Sequence, residues 1–325
     1  MKRFKPLASG FAVAALLALS AVPASAEYPD RPITVVVPFP AGSSSDMIPR
    51  LLGPLVSKSL GVPVVVENRP GANGSIGATR VATSAPDGYT ILLGTTGVFA
   101  INQWIYEKPQ YSPEKDFAPI INAAATPNML VVNPSVKASN LKELIALAKA
   151  EPGKLTFASA GNGSTSHICG EALKVLEGVD LVHVPYQGPA PALQDVLGNR
   201  VSMICDNFSN VVEHVRSGAL KAIVVTAKTP TAQLPDVPTA PQAGSPELEA
   251  GIWYGFVAPA ATPKDIIEKL HKAFADALRD PTVTQRLENV GLTVIADTPD
   301  QFKAFIAKEA ARMKPIVEKS RARIP

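Results

Sequence analysis

Residues 33 to 46 read Ile-Thr-Val-Val-Val-Pro-Phe-Pro-Ala-Gly-Ser-Ser-Ser-Asp, and this stretch decides the fold. The β-branched run from Ile33 to Val37 predicts a buried strand that ends at Pro38 in a loop of small residues. A helical pattern continues to about residue 60, and a second β-branched run covers residues 62 to 66. This order predicts a βαβ unit with a hydroxyl-rich loop at the helix N-terminus. Because helix N-termini present unpaired N–H groups, we expect residues 38–45, the first loop, to form half of an anion-binding cleft.

The same order returns in the second half of the chain. Residues 154–158 read as a strand, residues 159–166 as a Gly/Ser/Thr loop, residues 167–176 as a helix and residues 181–185 as another strand. We call residues 159–166 the second loop, and its recurrence predicts two similar lobes that face each other. A third loop of small residues, which contains Thr95 and Thr96, also follows a predicted strand, where α/β sheets place their ligands.

Strands and helices alternate along most of the chain, which predicts an α/β fold with a mostly parallel sheet in each lobe, flanked by helices. Residues 120–124 and 129–132 read as two strands interrupted at residues 126–128, where the chain first crosses between lobes. The strand that begins at Ile252 crosses back. Lobe I therefore comprises residues 27–126 plus 252–325, and lobe II comprises residues 127–251.

The first 26 residues predict a secretory signal peptide. Lys2, Arg3 and Lys5 precede a short apolar core, and residues 24–26, Ala-Ser-Ala, fit the small-residue cleavage pattern. Cleavage after Ala26 would release the chain to the periplasm. The apolar core is shorter than the roughly 20 residues that a membrane span needs.

Charge balance argues against nucleic-acid binding. The predicted signal peptide holds three of the 31 Lys and Arg residues and none of the 28 Asp and Glu residues, so the remaining charges balance. A net charge of zero argues against bulk binding of nucleic acids, which are attracted to basic surfaces. The two cysteines, Cys169 and Cys205, form either one disulfide or two buried thiols.

A catalytic function finds little support in the sequence. There is no G-x-S-x-G, H-E-x-x-H or C-x-x-C motif, and the four histidines show no metal-ligand spacing. Only His167 lies beside a predicted ligand loop. For any one loop alone, N-capping of the helix is the better explanation of Ser45, Asp46 or Ser166, so the binding hypothesis depends on the recurrence of three such loops.

Four motifs in order resemble the Bug-type family, the periplasmic solute receptors of tripartite tricarboxylate transporters. They are residues 38–42 with Asp46, residues 67–71 with Gly74, residues 184–188 with Pro191 and Asp195, and residues 253–255 with Pro259. The resemblance covers essentially all of residues 27–325. It implies a two-lobe periplasmic-binding-protein fold that closes on a small carboxylate, with dicarboxylates among the candidates, and without a cofactor or metal.

The resemblance also implies the contacts. The first loop is expected to hold one carboxylate mainly through backbone N–H groups, and the second lobe to face the rest of the ligand. In this chain the corresponding residues are Phe39, Ala41, Gly42, Ser43, Ser44 and Ser45 in the first lobe, with Ser164, Thr165, Ser166, His167, Tyr186 and Asp206 in the second.

Two positions depart from the family pattern. The second of two adjacent glycines in the first loop is Ser43 here, and the third loop continues with Val98 and Phe99 where polar residues are common. With Phe39 and Trp253 nearby in the family arrangement, an aromatic carboxylate becomes a hypothesis for the ligand.

The sequence therefore predicts a monomeric periplasmic receptor that delivers a carboxylate to the membrane permease subunits of a tripartite tricarboxylate transporter. A sensor module that presents its ligand to a membrane signalling kinase remains an alternative. An exported hydrolase is disfavoured because no nucleophile–base pair is visible.

Overall fold

The computed structural model describes residues 28–320, 322 and 323, so the predicted signal peptide lies outside the described residues. Its centre is a mixed sheet in which the order of the main path is β2-β1-β3-β9-β4-β7-β5-β6, while β8 and β10 pair with β4 beside this path. The strands are β1 Ile33–Val37, β2 Val64–Asn68, β3 Thr90–Thr95, β4 Phe117–Val132, β5 Thr156–Ser159, β6 Val182–Pro185, β7 Met203–Asn207, β8 Lys221–Val225, β9 Gly251–Pro259 and β10 Thr293–Val294.

Helices cover both faces of this sheet, as an α/β fold requires. They are α1 Ser44–Leu60, α2 Ser75–Ala82, α3 Asn102–Ile105, α4 Pro113–Asp116, α5 Leu141–Ala150, α6 Thr165–Glu177, α7 Pro189–Leu197, α8 Phe208–Arg216, α9 Lys264–Leu278, α10 Pro281–Asn289 and α11 Pro299–Lys319.

Strand β4 is continuous, which corrects the predicted interruption at residues 126–128. The strand pairs with β9 through residues 117–127 and with β7 through residues 128–132, so it runs through both lobes. Pro127 fits because an extended backbone matches its fixed φ, and because its missing N–H falls where β4 changes partners. The lobe boundaries themselves stay a prediction.

The sheet is mixed rather than mostly parallel. Strands β1, β2 and β3 pair in parallel, as do β5, β6 and β7. The long strands β4 and β9 run antiparallel to each other and to their outer neighbours. Strand β4 continues from the first lobe's sheet into the second, whereas β9 pairs only within the first lobe's sheet. The predicted α/β, two-lobe fold class is nevertheless confirmed.

One apolar cluster packs one face of each lobe's sheet, and a third cluster of buried residues continues through both lobes. Val35, Ile48 and Phe274 belong to the buried cluster that packs α1 and α9 on one face of the first lobe's sheet. Ile204, Val211 and their buried neighbours pack α7 and α8 on the second lobe's sheet. This packing fixes the strands whose carboxyl ends carry the two loops.

A disulfide joins Cys169 in α6 to Cys205 in β7, with a Cα–Cα distance of 6.1 Å, which decides between the two alternatives that the sequence left open. Among the described residues, no helix is long and apolar enough to cross a membrane. In the same part of the chain, no cluster of three or more His, Cys, Asp or Glu side chains is arranged to hold a metal ion.

Candidate functional site

The first loop is held by a buried carboxylate. Asp46 is 3% exposed, and its Oδ2 accepts from the N–H of Gly42 at 2.9 Å and from Arg50 Nε at 2.9 Å. Its Oδ1 accepts from Asn68 Nδ2 at 2.9 Å, and the same nitrogen donates to the carbonyl of Phe39. The hydrogen bond from Arg50 is the main cause that lowers the pKa of Asp46 to about 2. An ionised side chain thus connects the loop to α1 and to the end of β2.

These bonds change the role expected for two of the loop's backbone groups. The N–H of Gly42 is already donated to Asp46, and the N–H of Ser43 donates to the carbonyl of Pro40 at 3.3 Å. Ser43 is also the N-cap of α1, since its Oγ accepts from the N–H of Asp46. Among the described residues, no acceptor is found for the N–H groups of Phe39, Ala41, Ser44 and Ser45. Four of the six predicted donors are therefore available to an anion.

A tyrosine from β9 lies beside the start of α1. Tyr254 is 1% exposed, and its hydroxyl lies near the side chain of Ser44. Burial raises the pKa of Tyr254, and the nearby carboxylate of Asp206 contributes to the shift. Asp206 lies in the predicted second lobe, so its effect on the pKa of Tyr254 indicates that the lobes approach each other near these two residues.

Asp206 is buried, and among the described residues no cation forms an ion pair with it. It is 3% exposed, its Oδ1 accepts from the N–H of Asn207 at 2.8 Å, and its Oδ2 accepts from Asn210 Nδ2 at 3.1 Å. Burial raises its pKa, and these two bonds only partly oppose the shift. On the other face of the same strand pair, Asn128 and Asn207 are register partners, and each has a buried Oδ1 with no protein partner. Buried polar atoms of this kind need a partner, which a ligand or water can supply.

The second loop is held by its own hydroxyl groups. Ser164 caps α6 by accepting from the N–H of His167, and its Oγ donates to the carbonyl of Gly161 at 2.6 Å. Ser166 Oγ accepts from the N–H of Ala160 at 2.9 Å. The N–H groups of Thr165 and Ser166 have no acceptor among the described residues. As at Ser44 and Ser45 in the first loop, these free donors are the first N–H groups of a helix.

His167 braces the second loop in a way that differs from the predicted ligand contact. Its Nδ1 accepts from the N–H of Gly163 at 3.1 Å, and its ring stacks on His183 with centroids 4.0 Å apart. Burial is the main cause that lowers the pKa of His167 to about 3 and that of His183 to about 4. Both rings line a groove of about 700 Å³ between α6, β6 and the end of α11. Because their pKa values are this low, both imidazoles are neutral near neutral pH.

Two other predicted residues form hydrogen bonds within the chain, and a third is buried in a strand. Thr96 Oγ1 donates to the carbonyl of Gly251 and accepts from the N–H of Trp253, which joins the third loop to β9. Thr95 is buried at the end of β3, next to Tyr254 in register. The hydroxyl of Tyr186 donates to Asp195 Oδ2 at 2.6 Å.

The apolar residues of the third loop lie in the core of the first lobe. Phe99 is fully buried and stacks on Trp253 at a centroid distance of 5.6 Å, and both rings meet Phe302 edge-on. Val98 is buried in the same cluster. Phe39, the third of these aromatic residues, is half-buried and belongs to the first loop itself. Two of the three aromatic side chains behind the aromatic-ligand hypothesis are thus used for packing.

The sequence analysis did not identify three residues that support the first loop. Asn68 in β2 and Arg50 in α1 brace Asp46, and Tyr254 in β9 reaches Ser44. Asn68 and Tyr254 do lie within the quoted family motifs, so the motifs marked their positions. Their contacts depend on pairings between strands that are distant in sequence.

The fold and these loops define a two-lobed binding protein with helix N-termini at the cleft. A family model described as "Tripartite tricarboxylate transporter family receptor" matches residues 48–321. The chain is 38% identical over 306 residues to Protein BugT of Bordetella pertussis, with 94% of each chain covered. Among solved structures, MatC from Rhodopseudomonas palustris with bound malate is 35% identical with a TM-score of 0.80, covering 89% of this chain and 100% of that one. An R. palustris protein with adipate is 33% identical with a TM-score of 0.81, covering 90% and 98% respectively.

The chain therefore belongs to the tripartite tricarboxylate transporter receptor family. Members of this family are periplasmic solute-binding receptors rather than enzymes, and they bind small carboxylates and work with transporter components. The absence of a catalytic motif in the sequence agrees with this assignment.

Proposed function

We propose that this protein captures a small organic carboxylate between its lobes in the periplasm and delivers it to the permease subunits of a tripartite tricarboxylate transporter. The observation that carries the proposal is the pair of helix N-termini with free N–H groups. Ser44 and Ser45 supply them in the first lobe, next to the free loop N–H groups of Phe39 and Ala41, and Thr165 and Ser166 supply them in the second. N–H groups at the positive end of a helix dipole stabilise carboxylates.

The ligand's first carboxylate binds to the first loop in this proposal, and its far end lies between Tyr254 and Asp206. Tyr254 stays protonated at neutral pH because burial raises its pKa, so its hydroxyl donates a hydrogen bond. Asp206 accepts from a hydroxyl group or water when it is ionised, and it donates to a second carboxylate when it is protonated. Its raised pKa favours the protonated form, and a dicarboxylate suits that form.

We favour an aliphatic ligand because Phe99 and Trp253 belong to the core. The solved relatives with adipate and malate hold aliphatic dicarboxylates, which supports the same choice. Phe39 alone remains to contact an aromatic ring.

Isothermal titration with paired ligands tests the proposal. Succinate, malate and adipate should bind, benzoate and nicotinate should bind more weakly, and the neutral diamides should not bind. Equal binding of a dicarboxylate and its diamide would overturn the carboxylate assignment. Stronger binding of benzoate than of every aliphatic acid would restore the aromatic-ligand hypothesis.

Uptake measurements test delivery. Deletion of the receptor and deletion of the permease subunits should abolish uptake of the same acid. Normal uptake without the receptor, together with a lost transcriptional response, would favour the sensor alternative. We also propose that the receptor is a monomer, which sedimentation in the presence and absence of ligand will check.

A further inference from the structure

The glycine-rich turn between β2 and α2 places one asparagine at the junction of the lobes. Residues 71–75 read Gly-Ala-Asn-Gly-Ser, and Ala72 and Asn73 both have positive φ angles, of 46° and 48°. Asparagine adopts this left-handed conformation more readily than most residues do. The sequence explains the turn but gives no reason for the amide side chain.

That side chain bonds to the other lobe. Asn73 Nδ2 donates to the carbonyl of Gly163 at 2.8 Å and to Asn102 Oδ1 at 2.9 Å. Gly163 is 90 positions away in sequence, in the second loop. The bond from Asn73 to Gly163 therefore exists only while the lobes are together.

Two glycines make room for the amide. A Cβ atom added at Gly97 would lie 2.8 Å from Asn73 Nδ2, and one added at Gly163 would lie 3.0 Å from it. Gly97 belongs to the first lobe and Gly163 to the second. The amide is thus enclosed between two backbones, and the fit requires the lobes to approach to this distance.

A buried network fixes the direction of the amide. The Nδ2 group of Asn102 faces the carbonyl of Asn73 at 3.0 Å, as well as Ser75 Oγ and the hydroxyl of Tyr111. A carbonyl only accepts, so Asn102 presents nitrogen on that side and its Oδ1 towards Asn73. Asn73 must then present its own nitrogen, which is the atom that reaches Gly163.

We propose that Asn73 latches the closed lobes and positions the second loop without touching the ligand. The inference rests on the proposed function, because the latch acts on the loop that offers Thr165 and Ser166 N–H groups to the carboxylate. Gly163 directly precedes the N-cap of α6, and its N–H is held by His167. With Asn73 on its carbonyl, both polar groups of Gly163 are fixed when the lobes close.

The test compares Asn73→Asp with Asn73→Gly in the full mature chain. Both changes keep a residue that accepts a left-handed backbone, but Asp places an oxygen against two acceptors and Gly removes the side chain. Both should raise Kd about tenfold for every acid that binds, through faster dissociation. A merely local role in the turn would leave Asn73→Gly like the wild type, and a direct ligand contact would change the Kd values of different acids unequally. Either result would overturn the latch.

Two further measurements separate the latch from the proposed function. Hydrogen exchange of the ligand-free protein should show faster exchange for residues 161–167 in both variants, which requires no ligand, and unchanged protection there would overturn the latch. If the wild type binds no carboxylate while exchange still changes, the proposed function fails and the latch stands.

Gln233→Ala is the matched control, since Gln233 makes a longer contact of 3.4 Å with the carbonyl of Glu288 in the other lobe. Its Kd should change less than about twofold. An effect equal to that of Asn73→Gly would show that any contact between the lobes suffices and would overturn the specific role of Asn73.

Discussion

The first and second loops share a sequence design but are held in opposite ways. In the first loop an ionised side chain, Asp46, receives the bonds that hold the turn, and the side chain of Ser44 lies near Tyr254. In the second loop the hydroxyls of Ser164 and Ser166 are turned inward to hold the backbone, and a neutral His167 supports them. Hydroxyl-rich loops therefore do not by themselves identify ligand contacts, since the free donors of both loops are backbone N–H groups.

The largest expected effect comes from filling the space in front of the first loop. Ser44→Trp places a bulky side chain at the start of α1, next to the free N–H groups, and should weaken carboxylate binding about 100-fold or more. The half-buried position should leave the fold intact, which circular dichroism and urea unfolding will check. Thr165→Trp makes the matched change in the second loop. Unchanged affinity in Ser44→Trp would remove the first loop from the site.

The second lobe alone has a covalent brace among the described residues, and its loss is the next largest effect. Replacing Cys169 and Cys205 together by alanine should lower the free energy of unfolding by about 3 kcal/mol, because the disulfide restricts the unfolded chain. The bridge also ties α6 to the strand that carries Asp206. Carboxylate affinity should therefore fall together with the free energy of unfolding. Isothermal titration calorimetry below the unfolding transition will measure that affinity. Full affinity in the folded double variant would show that noncovalent packing alone positions the second loop.

Asp46→Asn breaks the charged brace of the first loop. Its bonds lower the pKa of Asp46 from the ordinary 3.8 to about 2, so its contribution to stability is present above pH 3.8 and is lost as pH falls towards 2. The variant should lose roughly 1–3 kcal/mol at neutral pH, and the difference from the wild type should shrink in acid. Urea unfolding across this pH range measures the difference. A constant difference would mean that shape rather than charge holds the loop.

Asp206→Asn should act with the opposite sign and a smaller size. Burial raises the pKa of Asp206, so the folded state holds this proton more tightly and stability decreases as pH rises from the unfolded value through the folded one. Removing the charge should raise the unfolding free energy of the ligand-free protein at neutral pH by roughly 1 kcal/mol. The gain should disappear at low pH, where the wild type is also neutral. If the variant were instead less stable at neutral pH, the charge of Asp206 would be stabilised by more than its two hydrogen bonds from amide groups.

Periodicity predicted most elements because buried strands and amphipathic helices repeat within a few residues. The mistakes arose where distant pairing decides the outcome. Pro127 predicted a break in the strand because proline disfavours sheet pairing. The pairing with β9 before it and with β7 after it nevertheless keeps β4 extended. Val98 and Phe99 followed a predicted ligand loop, yet Trp253 and Phe302, far along the chain, draw them into the core.

The sequence by itself determined the two-lobe α/β fold, the family and the position of the two loops, because these follow from local patterns and from motifs. Only the tertiary structure decided which N–H groups are free, since Gly42 is engaged by a carboxylate four residues on and Asn68 completes that brace from another strand. It also placed Tyr254 against Ser44 and Asn73 against Gly163. Hydrogen bonds are short and directional, so their partners are fixed only when strands and lobes that are distant in sequence come together.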